Sequence, residues 1–218
     1  VTGVSRKNDE WIVETPIGSV TAEYVVNAAG YRADEIGKMF GRDVPCVSLA
    51  HQYLVTEGIS ELSDRAEKLP LLRDPDSSYY LRQEKDGLLL GPYEKDCRAH
   101  WVNADDPRPA DFSFQLWNDD LERLEWYIDD ACKRVPILGT AGITRVVNGP
   151  IPYTPDGLPL IGPMPGVPNA FECCVFTFGI VQAGGAGKLM AEIIIEGEPE
   201  TDSWAVDPRR YTDHVDRD

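Results

Sequence analysis

Basic residues are scarce in this 218-residue sequence, where 21 Lys and Arg stand against 37 Asp and Glu for a formal net charge of −16. A phosphate backbone is gripped by clustered cations that release its counterions, so this balance excludes a nucleic-acid partner. It reads as a solvated acidic surface. Cysteine is sparse: Cys46, Cys97, Cys132, Cys173 and Cys174 are scattered, form no CxxC and have no His at metal-ligand spacing. No metal site is expected, and reduced thiols point to a reducing, cytoplasmic location. Long apolar runs are absent too, and no signal peptide is visible, so a soluble protein without a membrane partner is expected. No Ser stands in a G-x-S-x-G turn and no carboxylate pair takes acid and base roles by spacing, which leaves hydrolase chemistry unsupported.

What is present is a globular pattern, 42% hydrophobic with clear periodicity. Val1 to Val4 read as the end of a strand, hence as a cut, followed by a turn at Lys7 to Asp9. Trp11 to Thr15, a turn at Pro16 to Gly18, and Ser19 to Ala22 read as an antiparallel ribbon. Tyr24 to Val26 form an apolar strand entering Asn27-Ala28-Ala29-Gly30, small residues that let backbone approach a ligand closely. A short helix is predicted from about Ala33 to Phe40. Ser78 to Arg82 and Leu88 to Leu90 flank Lys85-Asp86-Gly87 as a hairpin. Trp117, Leu121, Leu124, Ile128, Ala131 and Val135 recur at helical spacing, with Asn118 as cap, Asp119 and Asp120 at the positive end and Lys133 and Arg134 at the negative end. Adjacent Cys173 and Cys174 lie on the strand predicted over Phe171 to Phe178, facing opposite ways as small hydrophobes.

A glycine-rich turn, Gly179 to Gly187, then leads into a helix predicted over Lys188 to Ile195 and ended near Gly197. It is no P-loop, because Gln182 occupies the first-glycine place and Leu189 follows Lys188; nor is it GxGxxG, because Met190 stands where the last glycine belongs. A helix whose first turn lacks side chains presents bare N–H groups and a positive dipole end to a ligand. The competing reading is close packing of helix on strand. His100 and His214 read as solvated or core-satisfied residues, whereas His51 lies on a strand alternating polar and apolar. Tyr53, Tyr79, Tyr80 and Tyr93 fall on strands or strand ends, where core packing competes with a cluster facing a cofactor.

Several stretches together resemble one family. They are Val25-Val-Asn-Ala-Ala-Gly30, His51-Gln-Tyr-Leu-Val-Thr56, Ser78-Tyr-Tyr-Leu-Arg-Gln-Glu84, Gly87-Leu-Leu-Leu-Gly-Pro-Tyr-Glu94, Tyr153-Thr-Pro-Asp-Gly157, Ala183-Gly-Gly185 and Asp207-Pro-Arg-Arg-Tyr211, in family order. The chain is similar to the FAD-dependent dimethylglycine and sarcosine dehydrogenases, within the D-amino-acid-oxidase-like flavoproteins. The resemblance implies an α+β fold: a mixed, largely antiparallel substrate-domain sheet with packed helices over 41–141, a partial FAD-binding lobe from 1–40 and 142–198, and a tail or linker over 199–218. It implies that Ala28, Ala29 and Gly30, with Gly179, Ile180, Val181, Gln182, Ala183, Gly184 and Gly185, contact FAD. It places His51, Tyr53, Tyr79, Tyr80 and Tyr93 at the chemistry, where a tyrosine or His51 orients the amine or takes its proton. Arg82 or Arg98 would meet a substrate carboxylate, unless that cation lies outside this sequence. The implied reaction is hydride transfer from an N-methylated glycine-type amine to flavin N5. The ADP-binding motif and a folate-binding region are expected in segments beyond this one, leaving this piece alone with weak flavin or none, and inactive. A related amino-acid oxidase and a non-catalytic binding domain are the alternatives.

Overall fold

The computed structural model describes residues 1–103 and 105–211, so His214 lies outside the described residues. In chain order the strands are β1 (Gly3–Lys7), β2 (Glu10–Thr15), β3 (Gly18–Ala22), β4 (Val25–Asn27), β5 (Val47–Thr56), β6 (Leu72–Asp74), β7 (Tyr79–Glu84), β8 (Gly87–Pro92), β9 (Ala99–His100), β10 (Ile143–Tyr153), β11 (Leu160–Pro163) and β12 (Ala170–Cys174). The helices are α1 (Ala33–Met39), α2 (Ser60–Ser63), α3 (Leu121–Arg134) and α4 (Gly179–Glu196). This is the α+β class the sequence predicts. Contacts divide the chain into two compact units, one of Val1–Ser48 with Ile151–Asp218, the other of Leu49–Pro150. No helix of the described residues is long and apolar enough to cross a membrane.

In the first unit, β1, β2 and β3 form an antiparallel meander, with Trp11 opposite Ala22 as the ribbon pattern predicts. A second sheet runs β11-β12-β4, in which β12 pairs antiparallel with β11 and parallel with β4. Its polar interior is tied by an ion pair between Arg42 and the fully buried Glu172, at 3.4 Å. Burial pushes the Glu172 carboxyl up, and the guanidinium opposes that shift. Cys174 joins a core with Ala33, Val44, Leu160 and Tyr211, whereas Cys173 packs on the cluster of Ile161, Phe171 and Met190, so the two thiols do face opposite ways. All five cysteines are free, and burial raises the thiol pKa of both members of this pair.

Two expectations about this unit change. The strand predicted to Phe178 stops at Cys174, because Val175 adopts φ 58°, a left-handed conformation that a β-branched residue reaches only under strain. The glycine-rich segment is then helix rather than turn: α4 starts at Gly179, and Ala186, Met190 and Ile193 bury one side of it. That packing stripe outweighs the helix-breaking tendency of the glycines, about 1 kcal/mol each relative to alanine. Gly197 closes α4 in the left-handed conformation with its N–H on Ile193 O, as predicted. Beyond it, Pro208 is fully buried and the Arg210 guanidinium donates to Asp156 at 2.7 and 3.0 Å, so the segment up to Tyr211 is docked onto its unit.

The second unit is built on the sheet β10-β5-β8-β7-β6, with β9 beside β5. The pairs β5–β8, β7–β8 and β6–β7 are antiparallel. Alternation sends Leu54, Tyr79, Leu81, Leu88 and Leu90 to one face, where they form a core with Leu124, Tyr127 and Ala131 of α3. The hairpin closes one residue earlier than Asp-Gly suggests: Glu84 pairs with Gly87, and Lys85 takes the positive φ, 56°. Helix α3 also starts later than predicted. Asn118 is not its cap, and Trp117 bridges Asn148 instead. The delay has a cause in Gln52, whose side chain accepts from Asp120 N–H at 2.8 Å and donates to Asp120 C=O at 3.0 Å, holding the chain extended up to the helix. His100, on β9, stacks on Trp117, ring centroids 4.3 Å apart, in a small aromatic cluster with Trp101 and Phe112.

Candidate functional site

In the first unit the parallel pairing of β4 and β12 brings their C-terminal ends to the same sheet edge, the place where open sheets with parallel strands bind ligands. From one strand emerges Ala28-Ala29-Gly30, from the other the start of α4. Asn27 shapes the first turn from inside: its amide donates to Ala33 O at 2.9 Å and accepts from Ala29 N–H at 3.2 Å. Gly30 takes φ 58°, open to glycine at little cost, and a Cβ there would meet nothing within 4 Å. In the sequence Asn27 is one member of the Val25–Gly30 stretch; its burial identifies it as the residue that sets the turn.

The start of α4 has no side-chain cap and no acidic residue in its first turn. Ile180 and Val181 are 99% and 81% exposed. A Cβ on Gly184, Gly185 or Gly187 would meet no atom within 4 Å, so the close-packing reading of these glycines fails. Gln182 Oε1 is buried without a hydrogen-bond partner. An uncapped positive helix end, a side free of side chains, exposed aliphatic groups and an orphaned acceptor fit a large planar ligand that is apolar on its face and polar at its rim, as a flavin ring is. The residues available to hold such a group are Ala28, Ala29 and Gly30 together with Gly179, Ile180, Val181, Gln182, Ala183, Gly184 and Gly185.

In the second unit the structure groups four of the five predicted catalytic residues on the sheet face opposite α3. Tyr80 lies across from Gly91, and continuing the β5–β8 register by one residue sets Tyr53 against the same glycine. The Tyr80 ring occupies the space over Gly91, where a Cβ would collide with it. Tyr93 packs beside Tyr80, centroids 5.9 Å apart. Burial pushes the Tyr80 phenol above its ordinary value, nearby Tyr93 and Tyr53 add to the rise, and Arg82 opposes it. The shift favours the protonated, O–H donor form of Tyr80. Tyr79 points the other way, 1% exposed beneath α3 near the Arg134–Asp74 pair, and takes no part in the cluster.

His51 shares its side of β5 with Tyr53, and its Nδ1 lies 2.9 Å from Glu94 Oε2. Glu94, the last residue of the Gly87–Glu94 stretch, is a buried carboxylate, and nothing local in the sequence signals that burial. The two predicted carboxylate-binding cations are engaged elsewhere. Arg82 pairs with Glu84 at 2.5 Å, and Arg98 is largely exposed, 3.8 Å from Asp120. Arg73, across from Tyr80 in the β6–β7 register, sets its guanidinium over the Tyr93 ring at 4.9 Å and so brings a cation to the tyrosines. No group of three or more metal-ligating side chains occurs among the described residues.

The mouse (Mus musculus) dimethylglycine dehydrogenase, mitochondrial, is 46% identical over 210 residues, which are 94% of this chain and 24% of that protein. The human (Homo sapiens) sarcosine dehydrogenase, mitochondrial, is 39% identical over 225 residues, covering 98% of this chain and 24% of that protein. The chain thus spans about a quarter of the length of these relatives. Among solved structures, L-proline dehydrogenase from P. horikoshii superposes with a TM-score of 0.77 at 25% identity, over 96% of this chain and 53% of that one. The expected cytoplasmic location is corrected by these relatives, which are mitochondrial proteins. Reduced thiols signal a reducing compartment and do not say which one. Residues 1–193 match the family model described as DAO, FAD dependent oxidoreductase, and the chain belongs to that family.

Proposed function

We propose that this chain is part of an FAD-dependent dehydrogenase that oxidises N-methylated glycine-type amines such as dimethylglycine or sarcosine. In this reading Val1–Ser48 with Ile151–Asp218 supplies part of the flavin site, and Leu49–Pro150 binds the amine. The observation that carries the reading is the start of α4, where glycines with open Cβ positions, an uncapped helix end and exposed Ile180 and Val181 occur together. Bound there, the flavin supplies the hydride acceptor for the N-methyl carbon.

The chain's own residues do the rest. The positive end of α4 favours the negative charge that collects when the acceptor is reduced. Tyr53, Tyr80 and Tyr93 give the substrate aromatic walls and hydroxyl donors. Arg73 offers a cation for the carboxylate. An ammonium holds no lone pair to push out a hydride, so the amine must lose a proton before it reacts. Similarity to the dimethylglycine and sarcosine enzymes supports the choice of substrate class.

The test is a visible absorption spectrum of the intact protein containing this segment, purified with FAD and freed of excess, with Gly185→Val alongside. Retained flavin bands that bleach anaerobically with dimethylglycine or sarcosine, and that Gly185→Val loses, are the expected result. A protein that folds and never retains flavin would leave a binding domain in place of an enzyme. The isolated 218-residue chain is expected to keep little flavin in the same measurement.

A further inference from the structure

On the face of the second unit's sheet away from α3, paired residues form a row across four strands. They are Tyr53 of β5, by continuing the β5–β8 register, Gly91 of β8, Tyr80 of β7 and Arg73 of β6. Gly91 is the gap in that row. Strand side chains usually stand roughly perpendicular to their sheet, but Tyr80 lies over. Its Cε1, Cζ and hydroxyl oxygen are the atoms nearest to where a Cβ on Gly91 would sit, so the outer half of the ring lies across the neighbouring strand. Alternation places Leu89 and Tyr93 on the same face as Gly91, two residues to either side of it. Leu89 is buried, and the Tyr93 ring centroid stands 5.9 Å from that of Tyr80. The Tyr80 ring thus rests in a notch whose floor is Gly91 and whose ends are Leu89 and Tyr93.

We propose that Gly91 is a positioning residue that sets specificity: by letting Tyr80 lie flat, it leaves height above the tyrosine face for the second N-methyl group of a tertiary amine. The inference rests on the amine-oxidation reading and narrows its substrate to amines of the dimethylglycine type. A methyl group on Gly91 would overlap the outer half of the Tyr80 ring, whereas carbon atoms in contact keep about 3.5–4.0 Å apart. The ring would have to move. The sheet lies beneath it and Leu89 and Tyr93 stand on either side, so the open direction is upward, into the space over the face. A ring raised by that much removes room comparable to one methyl group. The secondary amine, with one N-methyl group, still fits; the tertiary amine does not.

The experiment follows anaerobic flavin reduction of the intact flavoprotein by dimethylglycine and by sarcosine, in the wild type and in Gly91→Ala. Beside it, the affinities of two carbon isosteres are read from the flavin absorption band: 3-methylbutanoate for the tertiary amine and butanoate for the secondary one. The amine reacts neutral, so an uncharged carbon centre is a fair stand-in for its size. Wild-type kcat/KM should be at least as high for dimethylglycine as for sarcosine. One methylene group is discriminated by about 10- to 200-fold in a fitted pocket. In Gly91→Ala the dimethylglycine-to-sarcosine ratio of kcat/KM, and the matching ratio of isostere affinities, should therefore each fall at least about 10-fold. Lost stability alone reduces the amount of active protein and moves neither ratio. A wild type that prefers sarcosine by about 10-fold or more overturns the proposal, even if Gly91→Ala fails to fold. Ratios that stay unchanged in a Gly91→Ala protein that oxidises both amines overturn the role of Gly91 and leave the amine-oxidation reading standing. A wild type reduced by neither amine defeats that reading, and this inference with it.

Discussion

A methyl group added to Gly184, Gly185 or Gly187 would project into empty space, whereas one added to Gly91 would enter the ring of Tyr80. The two regions use glycine for opposite reasons. On β8 the space of the missing side chain is filled by this chain's own Tyr80, so packing explains why Gly91 has none. On α4 no described residue fills the gap, and these three glycines cost stability without local return. A residue that the fold does not need points to something outside the fold. By that criterion the open glycines of α4 support the flavin site proposed above, whereas the space over Gly91 is taken by the fold's own Tyr80.

The comparison breaks most visibly between the apolar side chains of the two regions. Leu124 is fully buried on the far side of the tyrosine sheet, and Leu124→Ala should destabilise the protein by about 2–5 kcal/mol through lost burial and a cavity. Ile180 has the same bulk and is exposed, so Ile180→Ala should change stability by less than about 0.5 kcal/mol in protein stripped of flavin. Urea midpoints of both variants check this. If Ile180→Ala is the more costly, the exposed face of α4 is packed against this protein after all.

Gly91→Ala comes next. The Tyr80 ring must swing away from the new methyl group, an overpacking cost of about 1–3 kcal/mol, and the Tyr80–Tyr93 contact should open with it. A lowered urea midpoint and changed tyrosine fluorescence are the expected signs. Gly185→Ala should do the reverse, stabilising the flavin-free protein by about 0.5–1 kcal/mol through better helix propensity. If it destabilises, an unrecognised neighbour occupies that space.

How legible these regions were in the sequence follows from how local their causes are. The β2–β3 ribbon and the Gly197 cap were legible because a few adjacent residues determine them. The tyrosine grouping was legible in part: alternation along β7 separates Tyr79 from Tyr80, but which of the two faces α3 depends on Leu124 and Tyr127, more than 40 residues away. The start of α3 was not legible, because Gln52 sets it from another strand. The extent of α4 was misread for a related reason. Glycines argue locally for a turn, and only burial of Ala186, Met190 and Ile193 against Ile161 and Phe171 keeps them helical. Glu94 was hidden by the same nonlocality, since its four contacts come from three residues of β5 and α3, His51, Gln52 and Arg123.

A small, pH-dependent effect lies in the first unit, at a carboxylate that invites comparison with Glu94. Asp156 is also clamped by an arginine, accepting from Arg210 Nε at 2.7 Å and Nη2 at 3.0 Å, and from Leu158 N–H at 3.0 Å. The Arg210 guanidinium holds its carboxyl well below the usual range, with the Leu158 and Thr154 hydrogen bonds helping against burial. A folded pKa below the unfolded value of about 3.9 means that the pair stabilises the fold above that pH and ceases to as the pH falls through the folded value. The Asp156 side chain is 39% exposed, however, so solvent screens the pair and its worth should be no more than about 1 kcal/mol. Urea midpoints taken from about pH 6 down to about pH 3 should therefore fall slightly more steeply for the wild type than for Asp156→Asn. Parallel curves would mean that the chain from Pro208 to Tyr211 stays docked through its buried Pro208 and Tyr211 alone, with the ion pair an accessory.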